Sequence, residues 1–276
     1  MRVTVIFAAA FSLAMLSACS SVETTQAGTV GVDRKQMMAV STEEVHEGSL
    51  KAYAQMMAEA QKKGVLDKDP AVVKRVRDIT NRLIPHATVF RPDAAKWPWE
   101  VHVISVDEVN AWCMPAGKMA MYTGLIQKLN ATDEEIAAVM GHEIAHALRE
   151  HARERMSRQM GTQLGVGLLG AIFGVGELGQ SIAGNVANVA INLPNSRLHE
   201  TESDRIGVEL AARAGYDPNA AVSLWEKMAK VSSGGQPPKW LSTHPSHEDR
   251  INDLRQYAAK VMPLYQAAKG GAAAGK

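Results

Sequence analysis

The sequence predicts an α+β fold that is mainly helical, with one small β-sheet. Three observations carry this. Ala, Met and Leu are plentiful while aromatic residues make up only 5% of the chain, a composition that leans towards helices. Apolar residues recur at three- and four-residue spacing behind residues that cap helices. Between Trp99 and Tyr122 the pattern changes to β-branched runs and turn chemistry.

The chain of 276 residues is 46% hydrophobic, enough for one domain with a buried core. A net charge of +1, with no basic cluster among aromatics, offers nothing for nucleic acid. At the N-terminus, Arg2 precedes an apolar run from Val3 to Leu16, too short for an ordinary membrane-spanning helix. Leu16-Ser17-Ala18-Cys19 follows and resembles the bacterial lipobox. The resemblance implies a signal peptide over 1–18, lipid on Cys19, and a mature chain facing the periplasm. Ser20, by similarity to the bacterial sorting rule, favours the outer membrane. With Cys19 lipidated, Cys113 has no intramolecular partner, so an exported chain carries no disulfide framework. Residues 19–40 are polar and read as a flexible tether, 41–266 as the folded domain, and 267–276 as a disordered Gly/Ala tail.

Within the domain, Ser41 and Glu44 form a capping box for a helix that Gly64 ends. Pro70 opens a second helix whose Val72, Val73, Val76, Ile79 and Leu83 share a face. Trp99–Val106 and Met119–Tyr122 are candidate strands, with a turn at Pro115 to Gly117. Thr132 and Glu135 cap the next helix, whose apolar stripe runs on towards Met156. Residues 161–193 read as a helical hairpin, 196–214 as a helix closed by Gly215, and 218–231 and 246–262 as two more.

The chemistry lies in His142-Glu143-Ile144-Ala145-His146. Two histidines four apart share one helical face and reach one zinc ion. Glu143, about 100° round the helix, is placed to act as general base on a water. A third histidine six residues after His146 is absent, because Ala152 stands there. His151 lies about 140° round a continuous helix from His146, so it reads as a packing or surface residue. Downstream, Glu200 and Asp204 share a helical face. Glu200 is the leading third ligand, Asp204 a carboxylate for a ligand imidazole, and Glu202 the rival ligand on another face.

Together these motifs resemble the zinc metalloendopeptidase family of the CAAX-prenyl proteases, HtpX and BepA-like proteins, in particular its small bacterial lipoprotein members. Supporting matches are Asn110-Ala111 with Pro115 and Gly117, Tyr122-Thr123-Gly124-Leu125, Ser196-Arg197, and Thr243-His244-Pro245 with Glu248 and Arg250. Ala116 and Ser203 depart from the usual pattern without touching the chemistry. The resemblance implies a gluzincin-like domain with a small sheet beside the active-site helix and one Zn2+ per chain. It implies a substrate strand along Asn110 and Ala111. It also implies that His244 is a fourth ligand at rest or a transition-state donor, which the sequence leaves as open as a plain turn histidine. The expected function is hydrolysis of extended or misfolded envelope proteins. The alternative is a non-proteolytic envelope chaperone or scaffold containing zinc.

Overall fold

The computed structural model describes residues 20–167, 185–232, 238–245 and 249–274. The signal segment with Cys19, residues 168–184 of the expected hairpin, His247 and Glu248 lie outside the described residues.

Helix α1 (Thr42–Lys62) starts at Ser41, whose side chain accepts from the Glu44 N–H while Glu44 reaches back to the cap. It ends where Gly64 adopts φ +65°. Helix α2 (Pro70–Leu83) is capped by Asp69, which accepts from the N–H groups of Ala71 and Val72. Its Val73, Val76, Ile79 and Leu83 are buried, so the three- and four-residue spacing becomes one face in the core.

The sheet has three strands in the order β3-β5-β4: β3 (Glu100–Ile104), β4 (Ala111–Met114) and β5 (Lys118–Tyr122). Strands β3 and β5 are parallel, and β4 pairs antiparallel with β5. The turn between β4 and β5 holds Ala116 at φ +64° and Gly117 at φ +74°. A short helix α3 (Thr123–Lys128) follows.

Helix α4 (Asp133–Leu148) runs through the centre, with a Thr132/Glu135 capping box and every residue from Glu135 to Leu148 buried. It does not run on to Met156. The backbone breaks at Glu150, at φ +50°, and α5 (His151–Gly167) begins as a separate helix. Beyond it come a π-helical turn (Asn188–Asn192), α6 (Arg197–Arg213), α7 (Ala220–Ser232), α8 (Lys239–Thr243) and α9 (Arg250–Ala274). Helix α6 lies between α4 and α9. Two glycines let α4 and α6 touch by their backbones: a Cβ on Gly207 would fall 2.7 Å from the His142 nitrogen, and one on Gly141 would fall 2.8 Å from the Gly207 oxygen. The arrangement is the mainly helical α+β domain expected, with its sheet beside α4.

Both ends depart from their compositions. Where a flexible tether is expected, β1 (Ser20–Val22) and β2 (Gln36–Met38) pair antiparallel, and Thr24, Val30, Val32 and Gln36 are buried. The polar residues there have partners on the domain, so solvation does not hold them free. Where 267–276 reads as disordered, α9 continues to Ala274; its alanines favour helix. Among the described residues, no helix is long and apolar enough to cross a membrane.

Candidate metal centre

Helix α4 presents His142 and His146 one turn apart, and the Gly141/Gly207 contact brings α6 close enough to add Glu200 and Asp204. The loop after α8 supplies His244. His142, His146, Glu200 and His244 are all buried, and each offers one ligand atom within 4.8 Å of the others.

The separations test whether a metal fits. His142 Nε2 lies 3.0 Å from His146 Nε2 and 3.2 Å from His244 Nδ1. Glu200 Oε1 is 3.3 Å from His146 Nε2 and 3.2 Å from His244 Nδ1, and Glu200 Oε2 is 3.5 Å from His142 Nε2. Tetrahedral zinc with bonds of about 2.0–2.1 Å needs ligand atoms about 3.3–3.4 Å apart. Nitrogen and carboxylate donors at these spacings suit that ion. Two imidazole nitrogens 3.0 Å apart cannot both be satisfied as acceptors without a proton or a metal between them.

Each candidate ligand is held from behind. His142 Nδ1 donates to Asp204 Oδ1 at 2.9 Å. Asp204 accepts from Arg250 Nε and Nη2 at 2.6 and 2.8 Å, and Arg250 Nη1 lies 2.8 Å from Glu200 Oε2. The guanidinium, buried and stacked 3.7 Å above the Trp225 ring, therefore ties both α6 carboxylates together. Burial favours the neutral form of Glu200, yet the charges of His244 and Arg250 and hydrogen bonds from His142 and His146 hold its carboxyl well below the usual range. Asp204 is likewise held down against burial, chiefly by Arg250 and His142. In the metal-free site, burial opposes protonation of His142, but Asp204 and Glu200 raise it to about 9. Burial pushes His146 well below the ordinary histidine value.

His146 is supported by a residue that the continuous-helix geometry turns away. Because the chain breaks at Glu150, His151 folds back, buried, with its Nδ1 2.8 Å from His146 Nδ1. Its Nε2 lies 2.9 Å from Glu202 Oε2. With a metal on His146 Nε2, the ring proton would sit on Nδ1 and donate to His151, which would donate from Nε2 to Glu202. So Glu202, the rival ligand, stands away from the cluster. It binds His151, Arg149 (3.2 Å) and Arg34 (2.7 Å) instead.

Glu143 Oε1 accepts from Trp240 Nε1 at 2.8 Å and lies 3.4 Å from His244 Nε2. His244 stacks on Trp240 with ring centres 4.7 Å apart. It thus stands between the general-base candidate and the fourth donor place. Asn110 and Ala111 are buried at the start of β4. That strand packs against the Asn188–Asn192 turn. Asn110 Nδ2 donates to Glu108 and its carbonyl accepts from Tyr122. Arg250 belongs to the C-terminal motif and Trp240 lies just before it, but they meet Asp204 and Glu143 across 46 and 97 residues of sequence, which no local pattern exposes.

Comparison with known proteins adds family information. The model for Peptidase family M48 matches residues 70–258. The mitochondrial metalloendopeptidase OMA1 of Bos taurus is 33% identical over 223 residues, 77% of this chain and 42% of the relative. The OMA1 of Arabidopsis thaliana is 35% identical over 175 residues, 63% of this chain and 35% of the relative. The β-barrel assembly-enhancing protease of Escherichia coli K12 is 31% identical over 212 residues, 72% of this chain and 41% of the relative. The chain spans less than half the length of each of these relatives.

Proposed function

Because this chain belongs to peptidase family M48, we propose that it is a zinc-dependent endopeptidase acting on extended or misfolded proteins of the cell envelope. The observation that carries the chemistry is the buried set of His142, His146, Glu200 and His244 with Glu143 beside it. His142, His146 and Glu200 would hold one zinc ion per chain, which would supply Lewis acidity to water and to the scissile carbonyl. Glu143 takes the proton of the attacking water and returns it to the leaving amine. Asp204 fixes the His142 ring through Nδ1, and Arg250 keeps Asp204 and Glu200 ionised. His244 closes the site at rest, and its withdrawal opens the place where the substrate carbonyl sits. The substrate adds as a strand along Asn110 and Ala111, and the Asn188–Asn192 turn moves off β4 to admit it.

The envelope assignment rests on the resemblance of Leu16-Ser17-Ala18-Cys19 to a lipobox and on the E. coli relative, whose name ties it to β-barrel assembly. Lipid on Cys19, a periplasm-facing position and a preference for the outer membrane belong to the same proposal. The OMA1 relatives are mitochondrial, so the family does not fix the compartment.

One observation favours a second reading. Four protein donors around one point resemble a structural zinc site, which is closed; this suits a zinc-containing chaperone or scaffold. Full-length protein assayed for bound zinc and casein cleavage beside Glu143→Gln separates the two. The peptidase reading expects one zinc in both proteins and cleavage reduced at least about 100-fold in the variant. Cleavage that survives the substitution, or a folded wild type without zinc, defeats it.

A further inference from the structure

Beside the metal ligands lies a small cavity of about 20 Å3 at rest, lined by Glu143, His146, His244, Glu150, Asn195 and Arg155 among others. Its acidic residues already have cationic or donor partners. Glu150 meets Arg91 Nη1 at 3.1 Å and Arg153 Nη1 at 2.5 Å. Glu143 accepts from Trp240 Nε1. Arg155 differs. Its Nη2 donates to the Val189 carbonyl at 2.5 Å, which fixes the guanidinium, but Nε and Nη1 are inaccessible to solvent and have no partner among the described residues. Asn195 Nδ2 is used on the Thr243 carbonyl. A guanidinium desolvated without its hydrogen bonds is unfavourable unless an anion completes it, and its planar fork matches a carboxylate. Burial already weakens its hold on the proton, bringing its pKa to about 10.

We propose that Arg155 is the anchor of a carboxylate-binding subsite, which selects peptides carrying a carboxylate beside the scissile bond. The carboxylate comes from an acidic side chain or from the chain's C-terminus. This rests on the peptidase reading for the identity of the ligand as a peptide. The two nitrogens, closed off at rest while Val189 holds the guanidinium, are the groups that receive it when the Asn188–Asn192 turn moves away. Glu143 and His244 line the same cavity, so a peptide held there lies against the reacting groups.

The test uses full-length, zinc-loaded protein with Glu143→Gln to prevent turnover. Fluorescence anisotropy measures binding of labelled twelve-residue peptides that differ by Glu or Gln at one scanned position. A second pair carries a free or an amidated C-terminus. Two charge-assisted bonds predict tighter binding of the acid by about ten-fold or more at one scanned position or at the free terminus, and that position identifies the source. Arg155→Gln should bring the ratio to about one, while Arg155→Lys keeps the charge, loses the fork and lowers the ratio part-way. Should Arg155→Gln fail to fold, the Lys variant decides: an unchanged ratio overturns the subsite. Equal binding of acid and amide in every pair overturns it too, as does a preference that persists in Arg155→Gln. Casein cleavage by wild type is scored separately. An Arg155-dependent preference without cleavage defeats the peptidase reading and leaves the subsite standing; cleavage without a preference does the reverse.

Discussion

Gly207→Ala should loosen the metal centre without touching a ligand. The added Cβ would sit 2.7 Å from the His142 nitrogen and 2.9 Å from the Gly141 carbonyl carbon and the His142 Cα. These are backbone atoms of α4, so no flexible side chain can move aside. Ordinary contact needs about 3.5 Å, and the helices must separate by about 0.8 Å. Metal–ligand distances tolerate only about 0.2 Å, and α4 carries two donors while α6 carries Glu200. We expect zinc affinity to fall about 10- to 100-fold, the range for disturbed ligand support. Overpacking should remove about 1–3 kcal/mol, and each kcal/mol lowers Tm by about 2–4 °C in a domain of this size. Competition with a chromophoric chelator reads the affinity, and calorimetry of the metal-free protein reads the stability. Gly161→Ala is the control, because open space surrounds that exposed helical position. If Gly207→Ala matches wild type in both measurements, the backbone contact does not set the ligand geometry.

Three further outcomes follow from the geometry. His151→Ala should weaken zinc about 10- to 100-fold by freeing the His146 ring, with Glu202→Gln having a smaller effect in the same direction; chelator competition that finds wild-type affinity in both refutes the relay. His244→Ala should raise casein cleavage several-fold by clearing the place beside Glu143, whereas loss of zinc without gain of activity would assign His244 to a structural site. Burial raises the Glu154 carboxyl, but His199, Arg34 and Gln36 together hold it far below its ordinary value, with Gln36 Nε2 at 2.6 Å and both Arg34 Nη atoms at 2.9 Å. A depressed folded pKa gives stability that is complete above the unfolded value of about 4.3 and is lost as the pH falls below it. Tm of chelator-treated protein should therefore drop from pH 5 to pH 3, and Glu154→Gln should lower Tm at pH 7 while flattening that slope; parallel curves would refute it.

Local periodicity made half of the centre legible. His142 with His146, and Glu200 with Asp204, are helical i, i+4 pairs, and Ser41, Asp69, Thr132 and Ser196 cap their helices through local side-chain bonds. Where periodicity was extended too far, it misled. His151 points away from His146 only on an unbroken helix, and one residue at φ +50° reverses that. Arg250, Trp240 and Arg155 act through contacts with no sequence spacing to reveal them. The segment 20–40 reads as unstructured because its stabilising partners, Arg149, Glu154 and Glu202, lie more than a hundred residues away.

That docked segment also sets a dimension. A free chain from Ser20 to Lys35 would extend about 50 Å and let a tethered enzyme sweep a hemisphere. Here the strand beginning at Ser20 pairs with β2, and Arg34 and Gln36 clamp the stretch to Glu154 and Glu202. Under the proposed attachment at Cys19, no slack separates lipid from domain. The catalytic cleft would then ride at a set height above the bilayer, cutting only within a thin layer and only chains that come down to it.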